Sequence, residues 1–456
     1  MFSPQPASQL PMKRIVSTWW PLAASWLLMG AELPALSAVV ARLPNPVINL
    51  AAYGGIVFPL ALIIESPIIM LLAASTALSK DTPSYQMLRR FTMISGAALT
   101  GLHILIAFTP LYYFVAEKLL GAPPVIIEPG RIGLMLMTPW TWSIAYRRFN
   151  QGVLIRFNRS KSVGIGTVIR LLADVIVLLA GYAIGSIQGI VVATCAVSAG
   201  VICEAIYSGI VVRPVVRTDL RQAPLIPEAL TWHAFYRFYT PLVMTSLLTL
   251  LVQPLGSAAL GRMPQALESL AVWPVVSGLI FMLRSLGVAY NEVVVALLDE
   301  PLSTRNLRRF AGILVACTTL LMLLFAATPL SHFWFVQFSG LNPALASLAV
   351  VGTWIALPIP ALTALQSWYQ GILLHSRQTR GITEAVIIFL VTSSVLLGAG
   401  VWWGGIVGLF VGLAAFVAAN LTQTAWLWFR SRLAEQAVSE RDRNLTILPT
   451  AQASTD

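Results

Sequence analysis

Apolar stretches long enough to cross a bilayer follow one another along nearly the whole chain, and the links between them carry most of the charge. A spanning helix needs about 20 apolar residues, because in hydrocarbon every backbone polar group must find its partner within the segment. Such runs are expected at residues 17–43, 48–78, 89–117, 131–157, 161–184, 188–213, 235–262, 267–297, 308–337, 344–374, 381–402 and 405–430. Of the 456 residues, 57% are hydrophobic and 10% charged. Soluble domains carry roughly a quarter charged residues, so too few polar side chains remain here to cover a water-facing surface. The expected fold is an all-α membrane protein. Its twelve transmembrane helices form two parallel six-helix repeats around a central cleft.

Charge placement sets the expected orientation. Links and span ends on one side carry Lys13, Arg14, Lys80, Arg89, Arg90, Arg147, Arg148, Arg156, Arg159, Lys161, Arg213 and Arg217, with further arginines in the second half. The opposite side receives only Arg42, Lys118, Arg131 and Arg262. The rich side reads as cytoplasmic, with both termini inside the inner membrane. The expected divisions are a tail at 1–16, a first lobe at 17–213, a linker at 214–234, a second lobe at 235–432 and a disordered polar tail at 433–456. The linker carries Pro214, Pro224 and Pro227 and has room for a surface-lying helix. The net charge of +11 follows the topology pattern rather than a nucleic-acid surface. Cys195, Cys203 and Cys317 sit within apolar runs and read as small buried residues, not disulfides or metal ligands. The stretch from Met1 to Gln9 lacks a charged start, so no cleavable signal peptide is expected.

The chain also repeats itself at a shift of 219 residues. Arg89-Arg90-Phe91 recurs as Arg308-Arg309-Phe310, and Thr109-Pro110-Leu111 as Thr328-Pro329-Leu330. Pro139 matches Pro358, Gln151-Gly152 matches Gln370-Gly371, Gly189 matches Gly408, and Arg213 matches Arg432. At a shift of 220, Pro21 and Pro34 match Pro241 and Pro254. An even number of spans per copy makes this a parallel repeat, an architecture that places a substrate site between the halves near the midplane. Gly185-Ser186 and Trp403-Gly404 are expected to close tight hairpins.

Ionisable groups inside spans are costly and need a partner, a cavity or a task. Glu32, Glu65, His103, Gln253, Arg284 and Asn291 are the candidate substrate or ion pathway residues. Glu65 and Arg284 fall at nearly equivalent depths in the two copies, so a contact across the lobes is expected, either a static pair or a gate. Glu32 has no partner visible in the sequence, which suits proton or sodium coupling or a protonated carboxyl bonded to backbone. Arg170 and Asp174, four apart, read as a structural pair on one helix face. Glu204 matches Gln423, which suggests a shared packing contact. His103 reads as a proton relay or a satisfied core histidine. Pro34, Pro254 and Pro59 are candidate helix bends for gating, since a proline removes a backbone hydrogen bond; a static kink is the alternative. No phosphate loop, His-Glu-x-x-His helix or Cys-x-x-Cys pair occurs, so no enzyme activity and no cofactor are expected.

Twelve spans in two halves, with a Gln-Gly turn expected after the fourth and tenth, resemble the multidrug/oligosaccharidyl-lipid/polysaccharide (MOP) exporter superfamily, which includes the MATE-like transporters. Within it the chain looks most like the progressive ankylosis (ANK) family. The resemblance rests on Leu50-Ala51-Ala52-Tyr53-Gly54, Leu102 to Ala107, Tyr112-Tyr113, Lys118-Leu119, Gly152-Val153-Leu154 and Trp273-Pro274-Val275. His103 and Tyr53 fall at positions matching that family. The resemblance implies two lobes around a cavity and outward movement of a small organic anion such as pyrophosphate, citrate or a nucleotide, by a monomer in the bilayer. Proton- or sodium-coupled multidrug efflux, a lipid-linked sugar flippase and a non-transporting scaffold remain alternatives.

Overall fold

The computed structural model describes residues 10–224 and 230–452. The described residues form twelve long helical segments: α1 Met12–Val40, α2 Pro46–Leu78, α3 Thr82–Phe108, α4 Pro124–Leu136 followed by Thr138–Arg156, α5 Ser160–Ile184 and α6 Gly189–Arg217 make the first half. The second half holds α7 Trp232–Leu260, α8 Ala266–Leu297, α9 Thr304–Ala327, α10 Pro343–His375, α11 Arg380–Trp403 and α12 Gly408–Gln452. Among the described residues, 11 of these segments are long and apolar enough to cross a membrane. The remaining one is α4, whose inner half is loaded with Arg147, Arg148, Asn150 and Gln151.

The repeat seen in the sequence recurs in the packing. In the first half α2 packs on α4, α4 on α6, and α5 on α6; in the second α8 packs on α10, α10 on α12, and α11 on α12. The halves meet twice in the same manner, α1 against α8 and α7 against α2. Gln151-Gly152 and Gln370-Gly371, expected as turns, instead lie inside α4 and α10. The glycines are there for close helix contact. A Cβ on Gly152 would sit 2.5 Å from the Leu72 carbonyl oxygen of α2, and one on Gly371 2.6 Å from Val294 Cβ of α8.

The links repeat as well. Gly185 and Gly404 end α5 and α11 at φ +70° and +64°, a left-handed conformation that glycine adopts without strain, and so close the expected hairpins. After α3 and α9, Thr109-Pro110 and Thr328-Pro329 stop the helix, and each threonine hydroxyl accepts the backbone N–H two residues on at 3.3 Å. Wide π-helical turns follow at Phe114–Leu119 and Phe333–Phe338. Their carbonyls are capped from the other half. Arg262, beyond the end of α7, donates to the Lys118 and Leu119 oxygens at 2.7 and 3.0 Å. Arg42, beyond the end of α1, donates to the Phe338 oxygen at 2.8 Å and to that of Gln337.

Three expectations change. The three prolines do not act alike. α1 breaks at Ala31, three residues before Pro34, and the π-turn Tyr53–Val57 ends two residues before Pro59, so in both helices the irregular turn lies where the proline removes a backbone hydrogen bond. Pro254 is different: α7 runs through it as a single helix, so the equivalence with Pro34 does not extend to the backbone. The C-terminal segment is also ordered. α12 continues far beyond its apolar part, Asp442 accepts the Thr304 N–H at 3.0 Å at the start of α9, and Arg441 donates to the Leu298 oxygen at 2.8 Å. The N-terminal segment joins this cluster, with Arg14 2.5 Å from Glu300 and Asn306 donating to the Leu10 oxygen at 2.8 Å. Finally, the linker is shorter than expected. α6 extends to Arg217, a helical turn follows at Asp219–Gln222, and α7 starts at Trp232. Residues 1–9 and the middle of the linker at 225–229 lie outside the described part.

Candidate functional site: a cleft between the halves

A cavity of about 940 Å³ lies between the two halves. Every spanning helix except α3 and α9 contributes to its wall. Those two are equivalent under the repeat and pack on the outside. Most of the wall is apolar, with Trp140, Trp273, Phe281 and Phe416 among its larger side chains.

Charge enters mainly from the first half. Glu32 of α1 forms an ion pair with Arg170 of α5. Arg170 also reaches Asp174, one turn along, at 4.0 Å. Behind this pair Arg147 of α4 is bonded to Glu204 of α6, with side-chain exposures of 6% and 0%. Gln151, one turn after Arg147, donates to the other Glu204 oxygen at 2.8 Å. Buried charges persist only when paired and hydrogen-bonded; Glu204 has both, whereas Asp174 has only the 4.0 Å ion pair and neither of its oxygens is hydrogen-bonded. Gly200 of α6 makes room for it, since a Cβ there would collide with the Asp174 carboxylate.

Two further guanidinium groups face the cavity from opposite halves. Arg148 of α4 has no carboxylate within ion-pair distance among the described residues, and its Nε has no hydrogen-bond partner. Arg284 of α8 likewise has no ion pair; its Nε donates to Thr363 Oγ1 at 2.9 Å. Glu65 of α2, 3% exposed, keeps one oxygen without a hydrogen bond and lies in the field of Arg148 and Arg147.

Several sequence expectations are therefore revised. Glu65 and Arg284 do not pair: both line the cavity, and each finds its nearest polar neighbours in its own half. Equal depth does not fix the distance across a cleft. Glu32 does have a cation, Arg170, because α5 turns that face towards α1. The Arg170–Asp174 pair is present but looser than the Arg170–Glu32 contact. Gln253 and Asn291 are on the wall, and Asn291 Nδ2 reaches the Ser367 oxygen at 3.4 Å. His103 is not on it. The side chain is fully buried in the first half, with Nδ1 2.8 Å from Thr141 Oγ1 and Nε2 2.9 Å from the Leu134 oxygen. Both ring nitrogens are thus satisfied, the core-histidine arrangement.

Arg147 and Arg148, which the charge count places with the links and span ends, both line the cavity. The usable signal was the polar run Arg147 to Gln151 inside a spanning segment. The Glu204–Gln423 match is not a shared contact either. In the second half the ladder positions are Gln366, Phe389, Ser393 and Gln423, uncharged throughout. Gln366 bonds to Asn420 Oδ1 at 3.2 Å and Thr424 Oγ1 at 3.0 Å instead.

No protein-family model matches the chain, and no curated protein matches it. Solved structures do share its fold. A multidrug resistance MATE family transporter of the MOP superfamily, in an inward-facing conformation, aligns with a TM-score of 0.69 at 13% identity, over 93% of this chain and 99% of that one. The lipid II flippase MurJ, in an inward closed conformation, aligns at 0.66 and 15% identity, over 96% and 93%. An outward-facing MATE family transporter of the same superfamily aligns at 0.59 and 16% identity, over 94% and 96%. The chain is therefore a multi-pass membrane protein with the fold of the MATE-like transporters of the MOP superfamily.

Proposed function

We propose that this chain is a secondary active transporter that moves a small organic anion out of the cell by alternating access. One observation carries the anionic substrate: Arg148 and Arg284, from opposite halves, face one cavity without a carboxylate in ion-pair contact. A bound anion would meet a guanidinium on each side and so link substrate to the relative position of the lobes. Arg42 and Arg262, which cross between the halves at the arginine-poor end, support a cleft closed at that end. The ANK-like segments favour pyrophosphate, citrate or nucleotides as cargo. The proposed setting is the inner membrane, with both termini cytoplasmic and the monomer as the working unit.

Export of labelled citrate, pyrophosphate and a nucleotide from proteoliposomes tests this. Saturable efflux of at least one is expected. Arg148→Gln or Arg284→Gln should raise its KM about tenfold or more, the effect of losing one charge-assisted hydrogen bond of roughly 1.5–3 kcal/mol. Absence of efflux for all three, or unchanged kinetics in both variants, would overturn the reading.

A second reading is proton- or sodium-coupled multidrug efflux, favoured by Glu65, a buried carboxylate with an unbonded oxygen on a mostly apolar wall. Glu65→Gln would then abolish cation-driven drug uptake into inverted vesicles while leaving anion efflux unchanged.

A further inference from the structure

A second pocket, of about 260 Å³, opens on the first half at the arginine-rich ends of α3, α4 and α6. None of its lining residues lines the central cavity. Its rim carries three exposed guanidinium groups, Arg89 of α3 and Arg213 and Arg217 of α6. Among the described residues none of the three has a carboxylate within ion-pair distance; the nearby Asp219 pairs with Arg159 at 3.8 Å. The floor is buried and partly polar. Asn150 is 2% exposed, and its Nδ2 has no hydrogen-bond partner. Gly209 gives Tyr146 its place in the wall, since a Cβ there would lie 2.6 Å from the phenol oxygen.

The other half shows what the same framework looks like when it is self-sufficient. Arg89 and Arg213 correspond to Arg308 and Arg432. Arg308 meets Glu435 at 3.8 Å, and Glu435 stands where the first half has Val216. Arg432 lies over the Trp428 ring at 3.6 Å, and Trp428 stands where the first half has Gly209. Arg217 corresponds to uncharged Gln436. Among the described residues the first half thus has one more cation, no carboxylate in ion-pair contact and no ring beneath any of the three guanidinium groups, and it has a buried donor left over.

We propose that this pocket binds a phosphate group, supplied by the headgroup of an anionic phospholipid in the leaflet next to the arginine-rich ends. Guanidinium groups recognise phosphate oxygens through paired hydrogen bonds, and basic pockets between spanning helices on that side suit lipid headgroups. The Asn150 amide supplies a neutral donor at the base, and the arginines surround the entrance from two helices.

Native mass spectrometry of the full chain in detergent tests this with three probes: phosphatidylglycerol, phosphatidylcholine and inorganic phosphate. Phosphatidylglycerol is expected to bind at least tenfold more tightly than phosphatidylcholine. R89Q/R213Q/R217Q should lose that preference. R308Q/R309Q/R432Q, which removes the same charge from the other half, should keep it. Val216→Glu, which installs the second half's carboxylate, should lose it without removing any arginine. Competition by inorganic phosphate at millimolar concentration would show the same site serving a soluble phosphate. An unchanged phosphatidylglycerol preference in both R89Q/R213Q/R217Q and Val216→Glu would overturn the proposal, as would equal loss in the control variant.

Discussion

Arg147 and Glu204 show how much depends on a single buried pair. Neither side chain is appreciably exposed, and Gln151 completes the bonding of the carboxylate. Removing one partner leaves a buried charge uncompensated, which costs about 3–5 kcal/mol. Arg147→Gln is therefore expected to lower the thermal midpoint in detergent by several degrees. The equivalent positions of the other half are Gln366 and Gln423, so the same backbone accepts neutral residues there. Combining Arg147→Gln with Glu204→Gln should recover most of the lost stability. A double variant as unstable as the sum of the singles would show that the pair is not coupled. Arg170 differs, because it shares its charge between Glu32 and Asp174 and stands on the cavity wall. Its loss should affect transport as well as stability.

At the scale of elements, the π-helical turns that follow α3 and α9 each depend on an arginine from the opposite half. The last carbonyls of a helix have no intrahelical donor, and Arg42 and Arg262 supply one. Both bonds must break if the outer end is to open. R42Q/R262Q should shift the population towards an open outer end, read as longer distances between spin labels on the links after α1 and α9. Unchanged distance distributions would show that other contacts hold that end. The ordered C-terminal stretch makes a separate claim. Asp442 caps the first turn of α9, so Asp442→Ala should cost about 1 kcal/mol, as the loss of a helix cap does, seen as a small fall in the thermal midpoint. A stretch with this composition looked disordered because its helix is held by contacts with Leu298, Glu300 and Thr304, not by its own hydrophobic pattern.

For the whole molecule, the pairing of α1 with α8 and α2 with α7 leaves a cleft bounded by ten helices and sealed outside by α3 and α9. Twelve spans would put both termini on one side, and the Lys/Arg count predicts that this side is the cytoplasm. Tags at either end should be cleaved by protease only in inverted vesicles. Protection of one tag and cleavage of the other would break the parallel-repeat topology.

Much of this was legible along the chain. Span number, the duplication and its register follow from hydropathy and from ordered matches of Arg, Pro, Gln and Gly, all properties of neighbouring residues. The hairpin glycines were legible for the same reason. The site was legible only as a set of costly residues. Glu32, Glu65, Gln253, Arg284 and Asn291 do reach the cavity, but His103 does not, and Arg147 and Arg148, which read in the sequence only as charges towards a span end, do. Which face a helix turns to the cleft is set by the helices packed behind it. A hydrophobic run in lipid has no polar side to reveal that direction. Tertiary structure alone therefore chose the partners: Arg170 for Glu32, Thr363 for Arg284, Glu204 for Arg147, and no ion-pair partner for Arg148.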